Sequence, residues 1–390
     1  MQEAVIVDAV RTPAGKRNGM LSDWHPADLA ALTLKALEER NNLDPALVDD
    51  VIMGCVMQVG EQALNIGRNA VLAAGWPETV PATTVDRQCG SSQQAVHFAA
   101  QGVMAGAYDV VIAAGVEVMT RTPMGASVVK DLGFAFPDSM LKERYAESGL
   151  PPQGVGAEMI ADEYGITRED LDAFGAQSQQ RAFTATEEGR FENEIIPVPV
   201  EINGETVMMT RDEGIREGTT AESISGLKTP FKEDGKVTAA NSSQISDGAA
   251  AILIMSRAKA EELGLKPRAV FRHFAVAGTD PVTMLKGPIP VTEKIMERSG
   301  MSLDDIDLFE INEAFASVVL AWQKETGVDL DKVNVNGGAI ALGHPLGGSG
   351  AKIMTTLVNE LERTDGRYGY QAMCEGGGLA NGTIIERVDN

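Results

Sequence analysis

Short, almost wholly apolar runs alternate along the chain with segments in which apolar side chains recur every three or four positions. Val5-Ile-Val-Asp-Ala9 precedes a helical pattern over 26–39, Val51-Ile-Met53 precedes one over 63–74, and Thr83-Thr-Val85 precedes one over 91–105. A further apolar run covers 110–116. Strands that lack an apolar/polar alternation are covered on both faces, and the βαβα order predicts an α/β sandwich with mostly parallel strands.

The pattern then returns. Arg268-Ala-Val-Phe-Arg-His-Phe-Ala-Val276 resembles the opening strand, and Leu303-Asp-Asp-Ile-Asp-Leu-Phe-Glu-Ile311 resembles the stretch from Leu43 to Ile52. Gly248-Ala-Ala-Ala-Ile-Leu-Ile254 and Gly382-Thr-Ile-Ile385 match as closing strands. Cys55 and Cys89 lie 34 residues apart and Asn312 and His344 lie 32 apart, so the turns holding Cys89 and His344 occupy equivalent places in two copies. The predicted organisation is an N-terminal half of residues 1–118 plus 246–267, an inserted domain of 119–245 with a helix over 168–188, and a C-terminal half of 268–390.

Composition narrows the chemistry. At 390 residues the chain holds roughly two to three domains of ordinary size, with 44% apolar residues to fill their cores. Three cysteines, Cys55, Cys89 and Cys374, form neither a disulfide framework nor a CxxC metal spacing, which predicts a reducing, cytoplasmic setting and no metal. The first residues lack a secretory pattern, and no apolar run approaches the roughly 18 residues of a membrane helix. The formal charge of −23 argues against nucleic acid and anionic membrane as partners, and it requires a local cationic patch for any anionic substrate.

Cys89 lies in Thr84-Val-Asp-Arg-Gln-Cys-Gly-Ser-Ser-Gln-Gln-Ala-Val96, where a strand gives way to a helix. A thiol at a helix N-terminus has its thiolate favoured, as a nucleophile requires; a small buried packing residue is the competing reading. His344 alone among four histidines sits in a glycine-lined turn, with six glycines in the fourteen residues from Gly337 to Gly350. Its symmetry with Cys89 favours a base beside a nucleophile over a structural histidine. Cys374-Glu-Gly-Gly-Gly378 follows a strand and presents amide groups suited to an oxyanion, or forms a structural turn. Asn312, at a strand-to-helix junction, has the plain reading of an N-cap.

These segments together resemble the thiolases, over essentially the whole length. The resemblance rests on Val85-Asp-Arg-Gln-Cys-Gly-Ser-Ser-Gln-Gln94, Asn241-Ser-Ser-Gln-Ile-Ser-Asp-Gly-Ala-Ala250, Asn312-Glu-Ala-Phe-Ala316, the Gly-His-Pro at Gly343-His-Pro345, and Cys374-Glu-Gly-Gly-Gly378. It implies a five-layered αβαβα fold from two similar halves with an inserted loop domain, and a homodimer or homotetramer. It implies coenzyme A as a substrate, with no tightly bound cofactor, and cleavage of 3-ketoacyl-CoA through an acyl-Cys89 thioester. His344 is then the base, Cys374 the proton donor, and Asn312 and the Gly376 amide oxyanion donors. Arg216, Ser223, Phe231, Ser243 and Phe315 are the implied contacts to CoA.

Two departures from the family pattern concern specificity. Pro152-Gln153 stands where many short-chain biosynthetic thiolases carry His-Met, and Gly347-Gly348 where Gly-Cys or Gly-Ala is common. Phe134, Phe136, Leu141 and Tyr145 are candidates to line a longer acyl site, which favours a degradative enzyme for medium or bulky chains. The alternatives are a biosynthetic acetoacetyl-CoA thiolase and a non-catalytic lipid-binding protein of the same fold.

Overall fold

The computed structural model describes residues 2–389. The first half runs β1 (Ala4–Arg11), β2 (Gly15–Lys16), α1 (Pro26–Asn41), β3 (Asp50–Gly54), α2 (Ile66–Ala73), β4 (Ala82–Val85), α3 (Ser91–Met104) and β5 (Val110–Val118). The intervening segment carries α4 (Gln153–Glu163), α5 (Arg168–Glu187), the hairpin β6 (Val198–Ile202) and β7 (Glu205–Met209), and the single turn α6 (Ala221–Ile224). The first half closes with β8 (Ser246–Ser256) and α7 (Arg257–Glu262). The second half runs β9 (Ala269–Gly278), α8 (Pro288–Ser299), β10 (Leu308–Ile311), α9 (Ala316–Thr326), α10 (Ala339–Leu342), α11 (Ser349–Thr364), β11 (Tyr368–Glu375) and β12 (Leu379–Arg387).

The strand order is β10-β11-β12-β9-β1-β8-β5-β3-β4. Setting aside the two-residue β2, each side reads outward from the β1–β9 junction as first, last, penultimate and second strand of its half, with the same two antiparallel pairings followed by a parallel one. β4 has for its counterpart only the single bridge of Val333 to Phe309. The half-sheets touch through two residue pairs, Val5 with Val270 and Ile6 with Ala269. α1 and α2 cover one outer face, α8 and α9 the other, and α3 packs on α11 between the half-sheets, giving the five layers.

Most pairings are antiparallel; β3–β4, β3–β5 and β10–β11 are the parallel pairs between named strands. The expectation of a mostly parallel sheet is corrected here. Apolar continuity along a strand reports helices on both faces, and it is silent about the direction of the neighbouring strand. α2 begins at Ile66 rather than at residue 63, because Leu64 and Asn65 are left-handed (φ 56° and 58°) and the Asn65 side chain caps the Arg68 amide.

The central layer is polar as well as apolar. Ala95, Ala99 and Ala100 of α3 and Ala351 of α11 are small and buried, letting the two helices approach closely. The side-chain amide of Gln93 donates to Thr383 Oγ1 at 2.8 Å, Gln371 donates to Gln93 at 2.9 Å, and His97 Nε2 meets the same threonine at 2.7 Å, so α3 is bonded to strands of the other half.

A buried ion cluster fastens the inserted segment. Arg11, at the end of β1, meets Glu194 Oε1 at 2.6 Å and both oxygens of Asp212 at 2.7 and 2.9 Å, all three side chains being fully enclosed. Asp212 Oδ1 also accepts the Ala14 amide at 2.7 Å. Removing one partner strands two buried carboxylates, so Arg11→Met should lower stability by about 3–5 kcal/mol. A urea midpoint equal to that of the unaltered chain would overturn this clamp.

Candidate active site

Three turns converge where the halves meet. The first follows β4: Gln88 is left-handed (φ 49°), its amide bonds Asp86 Oδ1, and the Ser91 hydroxyl accepts the Arg87 amide while donating to the Gln88 carbonyl. Gly90 is the N-cap of α3, so Cys89 stands one residue outside the helix, 4% exposed. A Cβ on residue 90 would lie 1.9 Å from Glu375 Oε1, so any larger residue there displaces that carboxyl.

The helix terminus does not dominate the thiol. Burial pushes Cys89 well above an ordinary cysteine, with Cys374 and Glu375 adding to the effect, while the amides of Gly376 and of Cys89 itself pull the other way. This corrects the expected thiolate. For so buried a sulfur, the desolvation of the anion outweighs a half-charge one residue away.

His344 occupies the second turn. Its Nδ1 meets Ser349 Oγ at 2.5 Å, and that hydroxyl donates to the Pro345 carbonyl at 2.9 Å. The hydroxyl proton is thereby engaged, so Nδ1 carries the ring hydrogen and Nε2, buried and unpartnered, presents a lone pair. Burial, assisted by the charge of Lys352, holds the imidazole down to about 3, hence neutral.

Cys374, near the end of β11, is fully buried and accepts the Asn312 side-chain amide at 3.5 Å. Burial pushes its thiol up to about 11, against the opposing bonds from Asn312 and the Ala314 backbone. Asn312 is therefore not the helix cap suggested by its place in the chain: α9 starts at Ala316, with Phe315 as N-cap, and the Asn312 Oδ1 is left without a partner.

Glu117 of β5 ties the first half to the His344 turn. Its carboxylate accepts the amides of Val56 at 2.9 Å and Met57 at 3.1 Å, the Gln62 side chain at 2.6 Å, and the amide of Gly347 in the second half at 2.9 Å. Cys55 packs beside it, pushed up by burial and by that carboxylate, as an inert core thiol.

A cavity of about 490 Å³ opens from His344 to the surface. Phe231, Phe315, Ser243 and Arg216 line it, the two rings edge to face at 6.1 Å. Phe231 approaches α4 closely enough that a Cβ on Gly154 would fall 2.3 Å from the ring. The Ser243 amide bonds the Ala314 carbonyl, setting that wall beside Phe315. Lys16, Arg17 and Arg216 are its charged lining, with no carboxylate among the lining residues. Lys16 and Arg17 come from the first half, at the end of β2 and the turn after it, in Gly15-Lys-Arg-Asn-Gly19, whose two adjacent basic residues are the sequence signal for them.

Ser223 stands apart. It is exposed, absent from the cavity wall, and engaged in a capping box with Thr220. Phe134 and Phe136 are 64% and 43% exposed, pack edge to face on each other, and do not line the cavity; Leu141 and Tyr145 are half-buried and likewise outside it. Gln153 does line it, with its side-chain amide close to Gly376.

Residues 4–258 match the thiolase N-terminal domain and residues 265–387 the thiolase C-terminal domain. The chain belongs to the thiolase family. It is 51% identical to a steroid 3-ketoacyl-CoA thiolase of Mycobacterium tuberculosis, over 100% of this chain and 95% of that one. It is 44% identical to a 3-ketoacyl-CoA thiolase of Bacillus subtilis, over 99% and 100%. The crystal structure of the Bacillus anthracis acetyl-CoA acetyltransferase superposes with a TM-score of 0.90 at 38% identity, covering 100% of this chain and 99% of that one.

The buried imidazoles of this thiolase make it sensitive to acid. His344 and His97, the latter also held down to about 3 by burial, stay neutral when folded, whereas an unfolded histidine binds its proton below about pH 6.5. The unfolded chain thus takes up more protons as pH falls, and this contribution to stability, complete above about pH 6.5, is lost toward about pH 3. His97→Gln should shrink the stability difference between about pH 7.5 and 5 by about 2 kcal/mol. An unchanged difference in urea midpoints would exclude His97 as a source.

Proposed function

We propose that this thiolase cleaves 3-ketoacyl-CoA with CoA, releasing acetyl-CoA and a shortened acyl-CoA. The observation that carries the reading is a cavity lined by three cations and no carboxylate, in a chain of net charge −23, ending at an imidazole with a free Nε2. The CoA phosphates suit Lys16, Arg17 and Arg216, and the pantetheine suits the slot between Phe231 and Phe315, with Ser243 as a polar contact. Ser223 reaches the nucleotide only if its capping bonds rearrange.

Cys89 is the nucleophile. Its sulfur attacks the 3-keto carbon as its proton passes to His344 Nε2, so neither group carries a lone charge ahead of the bond-forming step. Collapse of the tetrahedral intermediate breaks the C2–C3 bond, leaving acyl-Cys89 and the acetyl-CoA enolate, which takes its proton from Cys374. The thiol of incoming CoA gives its proton to that thiolate and attacks the acyl carbonyl carbon; the bond from that carbon to the Cys89 sulfur breaks, the departing sulfur takes its proton back from His344, and covalent catalysis thereby splits one hard step into two. The amides of Cys89 and Gly376 suit the first oxyanion, and Asn312 with His344 the enolate oxygen; such donors contribute about 3–4 kcal/mol each in other enzymes.

Cys89→Ala should abolish thiolysis while leaving the fold intact, and His344→Ala should lower kcat by about 10²- to 10⁴-fold. Retained activity in Cys89→Ala, or iodoacetamide labelling of Cys89 no faster than that of Cys55, would overturn the assignment.

The acyl group is medium-length or bulky. Gln153 at the site wall and the likeness to a steroid 3-ketoacyl-CoA thiolase support this. Thiolysis rates should rise from four-carbon to longer or steroid 3-ketoacyl thioesters, and an optimum at four carbons would favour acetoacetyl-CoA chemistry. The division into residues 1–118 plus 246–267, 119–245 and 268–390 follows the same reading, as does a cytoplasmic homodimer or homotetramer; among the described residues no helix is long and apolar enough to cross a membrane.

A further inference from the structure

One buried acid beside the thiols has no part in the mechanism above. Glu375 is fully enclosed on β11, and neither of its carboxyl oxygens has a hydrogen-bond partner. The carboxyl is wedged against Gly90, in the space a side chain there would fill, next to the Asn381 amide that bonds the Gly90 carbonyl at 3.0 Å. Asp86, Arg87 and Cys89 face it from the turn before α3, Cys374 precedes it on its own strand, and β12 contributes the neutral Asn381. Glu375 makes no ion pair with Arg87.

A carboxylate enclosed without a donor is costly, and a group so placed is retained most cheaply as the uncharged acid. Once ionised, it adds a negative charge near the Cys89 sulfur and disfavours any build-up of anionic character there. We propose that Glu375 is a positioning residue for Cys89: its uncharged carboxyl props the Gly90 turn, and its ionisation opposes thiolate formation at the neighbouring sulfur. Burial sets the window, since it raises this carboxyl to about 8, with Arg87 opposing and Asp86 reinforcing the shift. Below that pH the nucleophile is free of the added charge; above it the gain in thiolate that rising pH ordinarily brings is held back.

The inference rests on Cys89 being the nucleophile, and the test reads the thiol without reference to turnover. Alkylation of Cys89 by iodoacetamide, followed by peptide mass mapping on the full chain, is measured from about pH 6 to 10, because the rate follows the thiolate fraction. Glu375→Gln should match the unaltered chain below about pH 7 and react about tenfold faster above about pH 9, the effect of about one pKa unit of coupling. In the unaltered chain the logarithm of the rate should climb with a slope below one between those limits, a measurement that stands even where the variant does not fold. Superimposable profiles, or a slope of one throughout, would overturn the proposal. Thiolysis that survives Cys89→Ala would instead overturn the nucleophile assignment and leave the coupling result intact.

Discussion

The carboxylate of Glu117 accepts donors from both halves of the molecule, two backbone amides and a glutamine from the first and the Gly347 amide from the second. The half-sheets themselves meet through only two residue pairs, so the relative placement of the Cys89 and His344 turns depends on such cross-links and on the packing of α3 against α11. A buried carboxylate with four donors is costly to release into any other arrangement, which makes the junction one defined geometry rather than a sliding contact. Gly347 has no side chain because a Cβ there would fall 2.6 Å from the Cys55 Cα and 2.8 Å from Glu117 itself.

Burial at that junction governs its acid–base chemistry. Both candidate thiols are pushed up and the imidazole is pushed down, so the resting site is a set of neutral groups. Proton transfer concerted with bond formation suits such a site better than a standing thiolate–imidazolium pair, which burial penalises twice. Along the cavity wall, Lys16, Arg17 and Arg216 offset locally the acidity of the chain. The cationic patch spans two parts of the fold: β2 and the turn after it supply Lys16 and Arg17, beside Arg216 of the inserted segment.

Much of the architecture is legible along the chain because burial on two faces leaves continuous apolar runs and because a duplicated order of elements repeats its turns. The 3₁₀ turn and strand at Pro45–Leu47 and Asp50–Gly54 recur at Leu303–Asp305 and Leu308–Ile311, matching the repeat read from the order of elements along the chain. Strand direction is not legible, since an apolar run is the same whichever way its neighbour points. Nor is the state of Cys89: its position before a helix is local, but the burial that sets its protonation comes from packing with residues of distant segments, Val56, Met119, Leu346 and Met373.

The amino-acid sequence by itself determined the alternating elements, their duplication, and which cysteines, histidine and asparagine stand in glycine-rich turns or at strand ends, because each of these is a short-range property of spacing and residue type. Tertiary structure alone decided that Asn312 bonds a sulfur instead of capping a helix, that Ser349 fixes the tautomer of His344, that Ser223 and the two exposed phenylalanines stand outside the cavity, and that Glu375 lies unpaired against Gly90. Those outcomes depend on desolvation and on contacts between residues far apart in the chain, and both arise only once the two halves close on one another.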